Sequence, residues 1–229
     1  MADFNVDTTA PNFDLELALL GVTGSAHYAA VGATLPTGLE AYTEPFVSLG
    51  WISDEGLTES ISEEKTAWTP WQSVGPIRSQ VTSQQFTFQL TLWSIGGLAN
   101  ALRYGVPESD MTYDAVGEFV EFTQGGEIPK DFRFVLPLDL LDGDKHRRFI
   151  LPSASVEERG DVIYTKSELV GYPFTFAANL DPSIGFSIMR RFKEGWKPGT
   201  SGSLLTSGGA ASLGDWHERV TAGEPPTGG

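Results

Sequence analysis

The side chains best suited to acid–base or metal chemistry are scattered along this chain. It has three histidines, His27, His146 and His217, with no ligand-like spacing among them. A zinc site needs several nitrogen or sulfur donors converging on one point. Cysteine is absent, so disulfides, thiolate metal sites and thiol nucleophiles are excluded. Asp139, Asp142 and Asp144 could gather around a hard cation such as calcium, which favours clustered carboxylates. Asp-Gly at 142–143 between two strand-like runs reads better as a hairpin turn. Arg159-Gly160-Asp161 spells a tripeptide that some cell-adhesion receptors recognise, yet Gly-Asp between strands is ordinary turn chemistry. The acid pairs Glu63-Glu64 and Glu157-Glu158 are adjacent in sequence. On a strand their side chains point to opposite faces and cannot share a substrate. No phosphate-binding Gly-rich loop, dinucleotide fingerprint or nucleophile elbow is present. Trp51, Trp68, Trp71 and Trp93 could line a sugar-binding groove, but such residues more often serve a core or an interface. The expectation is a protein that is not an enzyme and holds no catalytic residues, metal or cofactor.

The elements that would position any site are strands. Val81 to Trp93 alternates strictly: Phe86, Phe88, Leu90 and Leu92 fall on one face, Gln85, Thr87, Gln89 and Thr91 on the other. The wet face carries no charge, although solvent-facing strand positions usually hold some Lys or Glu to discourage sticking. Asp131 to Leu141 alternates as cleanly, with Arg147 to Leu151 returning after the Asp142–Asp144 turn. Further strands are expected at 13–20 (an edge strand), 46–52, 57–66, 74–80, 154–158, 162–165 and 172–180. A hairpin is expected over 111–123, turning at Asp114–Gly117. Gly97 to Tyr104 is the best helix, with Leu98, Ala101 and Leu102 on one side and Gly105 as its stop. The predicted fold is mostly β, a sandwich or barrel with one short flanking helix and extended N- and C-terminal arms. The predicted organisation is an N-terminal arm and edge strand over 1–33, a β domain over 34–192, and a Gly/Ser-rich extension over 193–229.

The formal net charge of the 229 residues is −15, and it is unevenly spread. The first 64 residues hold eleven acids and no Lys or Arg; the first base is Lys65. Tight nucleic-acid binding needs a surplus of bases to displace counterions, and this chain lacks one. An acidic surface keeps proteins soluble and apart, and it would also repel a polyanion moving past it. No apolar run reaches the length of a membrane span, and the opening residues lack the pattern of a secretory signal.

The run Leu35-Pro36-Thr37 followed by residues 46–60 (FVSLGWISDEGLTES) resembles the N-terminal half of the major tail (tail tube) proteins of long non-contractile-tailed, siphovirus-type actinobacterial phages. Later segments are similar in order: Ile77-Arg78-Ser79 before the strand at 82–93 and its short helix, then Ile150-Leu151-Pro152, Val156 to Val162, and Gly171 to Phe176. The resemblance spans roughly Thr34 to Met189. It implies a tail-tube β fold whose copies form six-membered rings that stack into a tube. Genome and tape measure protein would pass inside that tube. It implies partners in the tail terminator and distal tail protein, a place in the virion, and synthesis in the host cytoplasm. On that basis Thr58, Ser60, Ser62, Glu64, Gln85, Thr87, Gln89 and Thr91 are expected to line the lumen, since each Lys or Arg there would add a phosphate contact and drag. The alternatives are another self-assembling virion component (baseplate or head decoration) and a carbohydrate-binding β-sandwich module.

Overall fold

The computed structural model describes residues 18–126 and 132–197. The chain divides into two units, Ala18–Glu194 and Met1–Leu17 with Gly195–Gly229, and the fold described below is that of the first. Most of the edge strand expected over 13–20, and most of the 193–229 extension, lie outside the described residues.

The described chain is mostly β, with ten strands and one α-helix: β1 (Thr23–Ala30), β2 (Val47–Ser48), β3 (Thr58–Trp68), β4 (Arg78–Leu92), α1 (Gly97–Tyr104), β5 (Thr112–Asp114), β6 (Phe119–Glu121), β7 (Phe134–Asp142), β8 (Lys145–Arg159), β9 (Tyr172–Ala178) and β10 (Met189–Lys193). Eight strands form one antiparallel sheet in the order β2-β1-β7-β8-β9-β4-β3, with β10 also on β8; β5 and β6 make a separate hairpin. The corner is β8. Up to Ala154 it pairs with β7, its start also with β10, and from Ala154 on it pairs with β9; register breaks fall on both sides of this handover, between Phe134 and Leu136 on β7 and between Val156 and Glu158 on β8. A bulge bends the strand that carries it, so the sheet folds over into two packed layers. The segment after β2 laces the far side. Leu49 N–H donates to Ala26 of β1, and Trp93 N–H to Trp51, joining β1 to the end of β4.

The core lies between the layers. Phe88, Phe134, Leu136, Leu151 and Phe176 are fully buried there, each stabilising the fold by about 1.5–3 kcal/mol through lost apolar surface. Phe88 meets Phe149 across the layers at a ring distance of 5.2 Å. α1 caps this core with Ala99 and Leu102. Its terminus is Gly105, φ 69°, a left-handed conformation that favours glycine. Three side chains tie it down: Tyr172 Oη donates to Asn100 Oδ1 (3.0 Å), Arg159 Nε to the Leu102 carbonyl (2.8 Å), and Arg103 to the Gly160 carbonyl.

Several sequence expectations need correction. Residues 162–165 are not a strand. The strand expected over 74–80 is a loop up to Ile77, because Gly75-Pro76 breaks it, and β4 starts at Arg78. The strand expected over 46–52 is reduced to β2 and a single bridge from Ile52 to Leu92. β10, over Met189–Lys193, is a strand that was not among those expected. One of its arginines, Arg190, reaches β3, where Nη2 lies 2.6 Å from Glu59 Oε1. Both side chains are 28% exposed. Water therefore screens the pair, and Arg190→Ala is expected to cost under about 1 kcal/mol. Chemical denaturation would show this as a small midpoint shift at constant slope.

Candidate functional site

The alternation read from β4 places the proposed polar residues on one face, and β3 supplies their partners. Thr58 lies opposite Gln89, Ser60 opposite Thr87, and Ser62 opposite Gln85. Glu64 lies opposite Ser83, whose hydroxyl donates to Glu64 Oε2 at 3.1 Å. Thr87 and Thr91 are half-buried and the other six are exposed; none is packed into the core. The face continues onto β9, where Thr175 lies opposite Gln89, and onto β8, where Glu158 lies opposite Thr175. Thr58, Gln89, Thr91, Thr175, Glu158 and Glu55 share one shallow depression.

Glu157 and Glu158 belong to this face, against the expectation that adjacent acids diverge. The register break at β8 makes Glu157 an extra residue, so it turns toward the same side as Glu158. There Gln85 Nε2 donates to both carboxylate oxygens of Glu157, at 2.8 and 2.7 Å. No periodicity rule could have found it, since a bulge breaks the period of two. From Thr58 to Thr66 on β3 and from Gln80 to Thr91 on β4, this face holds no Lys or Arg. Lys65 points the other way, 3.4 Å from Glu63. The first cation on the polar side is Arg78, opposite Trp68 and 6.0 Å from its ring.

The second feature is a bare ribbon. β9 covers β4 only from Phe86 to Leu92, so Arg78 to Gln85 pair with β3 and with no other described strand. Every residue of β3 is exposed, as is every β4 residue up to Gln85. Among the described residues β3 ends the sheet, so the backbone groups on its outer edge meet no strand. A two-stranded hairpin alone in water is marginally stable at best. This one also displays apolar groups. Trp71 is 99% exposed, with Val74, Ile77 and Trp68 exposed near it at the ribbon's tip and Val81 and Ile61 exposed further along the ribbon. Clusters of exposed apolar groups such as the one at this tip are common where proteins meet partners.

Among the described residues, Asp139 and Asp142, weighed as cation ligands, are engaged elsewhere. Asp142 accepts the Leu20 N–H and Asp139 pairs with Arg148, while Gly143 (φ 58°) makes the hairpin turn. No three His, Asp or Glu among the described residues could hold a metal ion together. Arg159 of the adhesion-like tripeptide is spent on the end of α1. Among the described residues no helix is long and apolar enough to cross a membrane.

A family model described as phage tail tube protein matches residues 14–182. No curated protein matches the chain. Among solved structures, a chain in a cryo-EM structure of the anti-feeding prophage baseplate, six-fold symmetrised, is 8% identical over 76% of this chain and 97% of that one. Its TM-score is 0.37, too low for the likeness to carry an argument.

Proposed function

The chain belongs to the phage tail tube protein family, a family of virion structural proteins, and from that premise we propose that it is the subunit of a long, non-contractile tail tube. Six copies close a ring, rings stack, and the polar face of β3, β4 and β9 lines the bore through which phage DNA leaves. The ring contact closes on itself, whereas the stacking contact repeats without closing and makes a filament. The observation that carries this reading is the bare ribbon. An eleven-residue edge strand with both faces in water is normally blunted or covered; here a neighbouring copy completes it by strand addition. The face it would expose inward is neutral to acidic, which spares passing phosphates any cationic contact. Tape measure protein, tail terminator and distal tail protein are the partners this role calls for, with synthesis in the host cytoplasm before incorporation into the virion.

Negative-stain electron microscopy of the purified protein tests the proposal. Rings and tubes are expected at high protein concentration. A closed ring that never stacks would favour a baseplate or head-decoration role. A persistent monomer that binds a glycan array through Trp68 or Trp71 would replace assembly with carbohydrate recognition.

A further inference from the structure

Among the described residues, five buried side-chain nitrogen or oxygen atoms have no hydrogen-bond partner, and four of them lie in one place: His27 Nδ1, Tyr42 Oη, His146 Nε2 and Arg191 Nη1. Buried polar groups without partners are rare and call for an explanation. Three of the four, His27, His146 and Arg191, sit on neighbouring strands, and Tyr42 comes from the segment that covers them. Asp139 on β7 lies opposite Arg148 on β8, which lies opposite Arg191 on β10, all on the layer's outer face. The segment joining β1 to β2 covers that face. Leu35 and Phe46 pack on Ala29, Val135 and Ile150.

Arg148, 2% exposed, pins this cover. It donates to Asp139 through Nε (2.8 Å) and Nη2 (3.0 Å), to the Gly38 carbonyl at 3.0 Å and to the Glu40 carbonyl at 2.9 Å. Its guanidinium stacks 4.2 Å above the Tyr42 ring. The imidazole of His27 contacts the same Tyr42 ring, with centroids 4.1 Å apart.

We propose that this cluster is an acid-released latch: with His27 neutral the segment 33–45 stays closed on the sheet, and protonation of His27 loosens it. The electrostatics follow from the groups that face the site. The cover contributes Tyr42 and Glu40, β7 contributes Asp139, β8 contributes His146 and Arg148, and β10 contributes Arg191. His146 Nε2 already lies 3.1 Å from Asp139 Oδ1, off hydrogen-bonding geometry. One buried carboxylate therefore faces two guanidiniums before any imidazole charges, and another buried cation has little to pair with. Burial holds His27 below the ordinary histidine value, with Asp139 opposing and Arg148 adding to the effect. The folded state then binds fewer protons than the unfolded chain. Its contribution is complete above the ordinary histidine value of about 6.5 and is lost as pH falls toward the depressed one.

Hydrogen exchange of the full chain tests the latch. From about pH 7.5 to about pH 5, protection of residues 33–45, corrected for intrinsic exchange, is expected to fall roughly tenfold more than that of β7. His27→Gln, which cannot charge, is expected to remove that difference. Equal loss in both proteins, or no segment-specific loss in the wild type, overturns the latch. If His27→Gln does not fold, the wild-type pH profile decides. A single midpoint between about 5 and about 6.5 supports the latch, and one below about 5, in the carboxylate range, overturns it.

Discussion

Trp71→Asp combined with Val74→Asp is expected to yield a folded protein that no longer polymerises. Both side chains stand in solvent, so the changes remove no core contact. The loop that carries them supports itself. Ile77 N–H donates to the Trp68 carbonyl, Ser73 N–H to the Pro70 carbonyl, and Ser73 Oγ to the Gly75 carbonyl. The melting temperature of the dissociated subunit should therefore move by only a few degrees, the size of shift that about 1 kcal/mol produces. Assembly is another matter. A large aromatic that fills a partner's pocket is the usual centre of an interface, and losing one costs about 2 kcal/mol or more. That raises the concentration needed for assembly by roughly thirtyfold per contact, and every subunit in a tube repeats the contact. Two carboxylates buried without partners add to the loss. Sedimentation velocity and negative-stain images of wild type and variant at matched concentration check the result. Tubes indistinguishable from wild type would show that the ribbon tip is not an assembly contact.

The parts of this design that were readable in the sequence are those set by local periodicity. The wet and dry faces of β4, the Asp142–Gly143 turn between β7 and β8, and the α1 stop at Gly105 each follow from a few neighbouring residues. What was not readable depends on partners far along the chain. β1, with the sequence TGSAHYAA, has little strand propensity of its own and was not anticipated as a strand; pairing with β7 on one side and β2 on the other holds it. β10 looks like a charged loop until β8 supplies its hydrogen bonds and Phe149 meets Phe192 at 6.0 Å. The polar face shows the same division. The eight residues on β3 and β4 could be named from alternation, whereas Thr175, Glu157 and Glu158 joined them only through β9 pairing and the β8 bulge. The Arg148 cluster was invisible for the same reason, since its members come from β1, the segment after it, β7, β8 and β10.

Virions carrying Ser60→Lys together with Gln89→Lys in the tube subunit are expected to assemble normally and to release DNA several-fold more slowly at low salt. Both positions are exposed on the polar face, one on each strand of the ribbon's base, so the long side chains can reach into water without disturbing the core. They are better probes than Thr87, which is half-buried. In a six-fold ring the two changes would add about twelve cations per ring along the DNA path, each able to trap one phosphate at a time. Such contacts weaken steeply with salt, with a slope near −0.9 per phosphate on logarithmic axes. The delay should therefore shrink as salt rises, which separates electrostatic drag from a narrowed bore. The acidic counterpart, Ser60→Glu with Gln89→Glu, should eject at the wild-type rate, because the face already carries Glu64, Glu157 and Glu158. If the lysine variant builds full-length tails and ejects as fast as wild type at low salt, this face does not touch DNA, and the bore must be lined by another surface of the subunit.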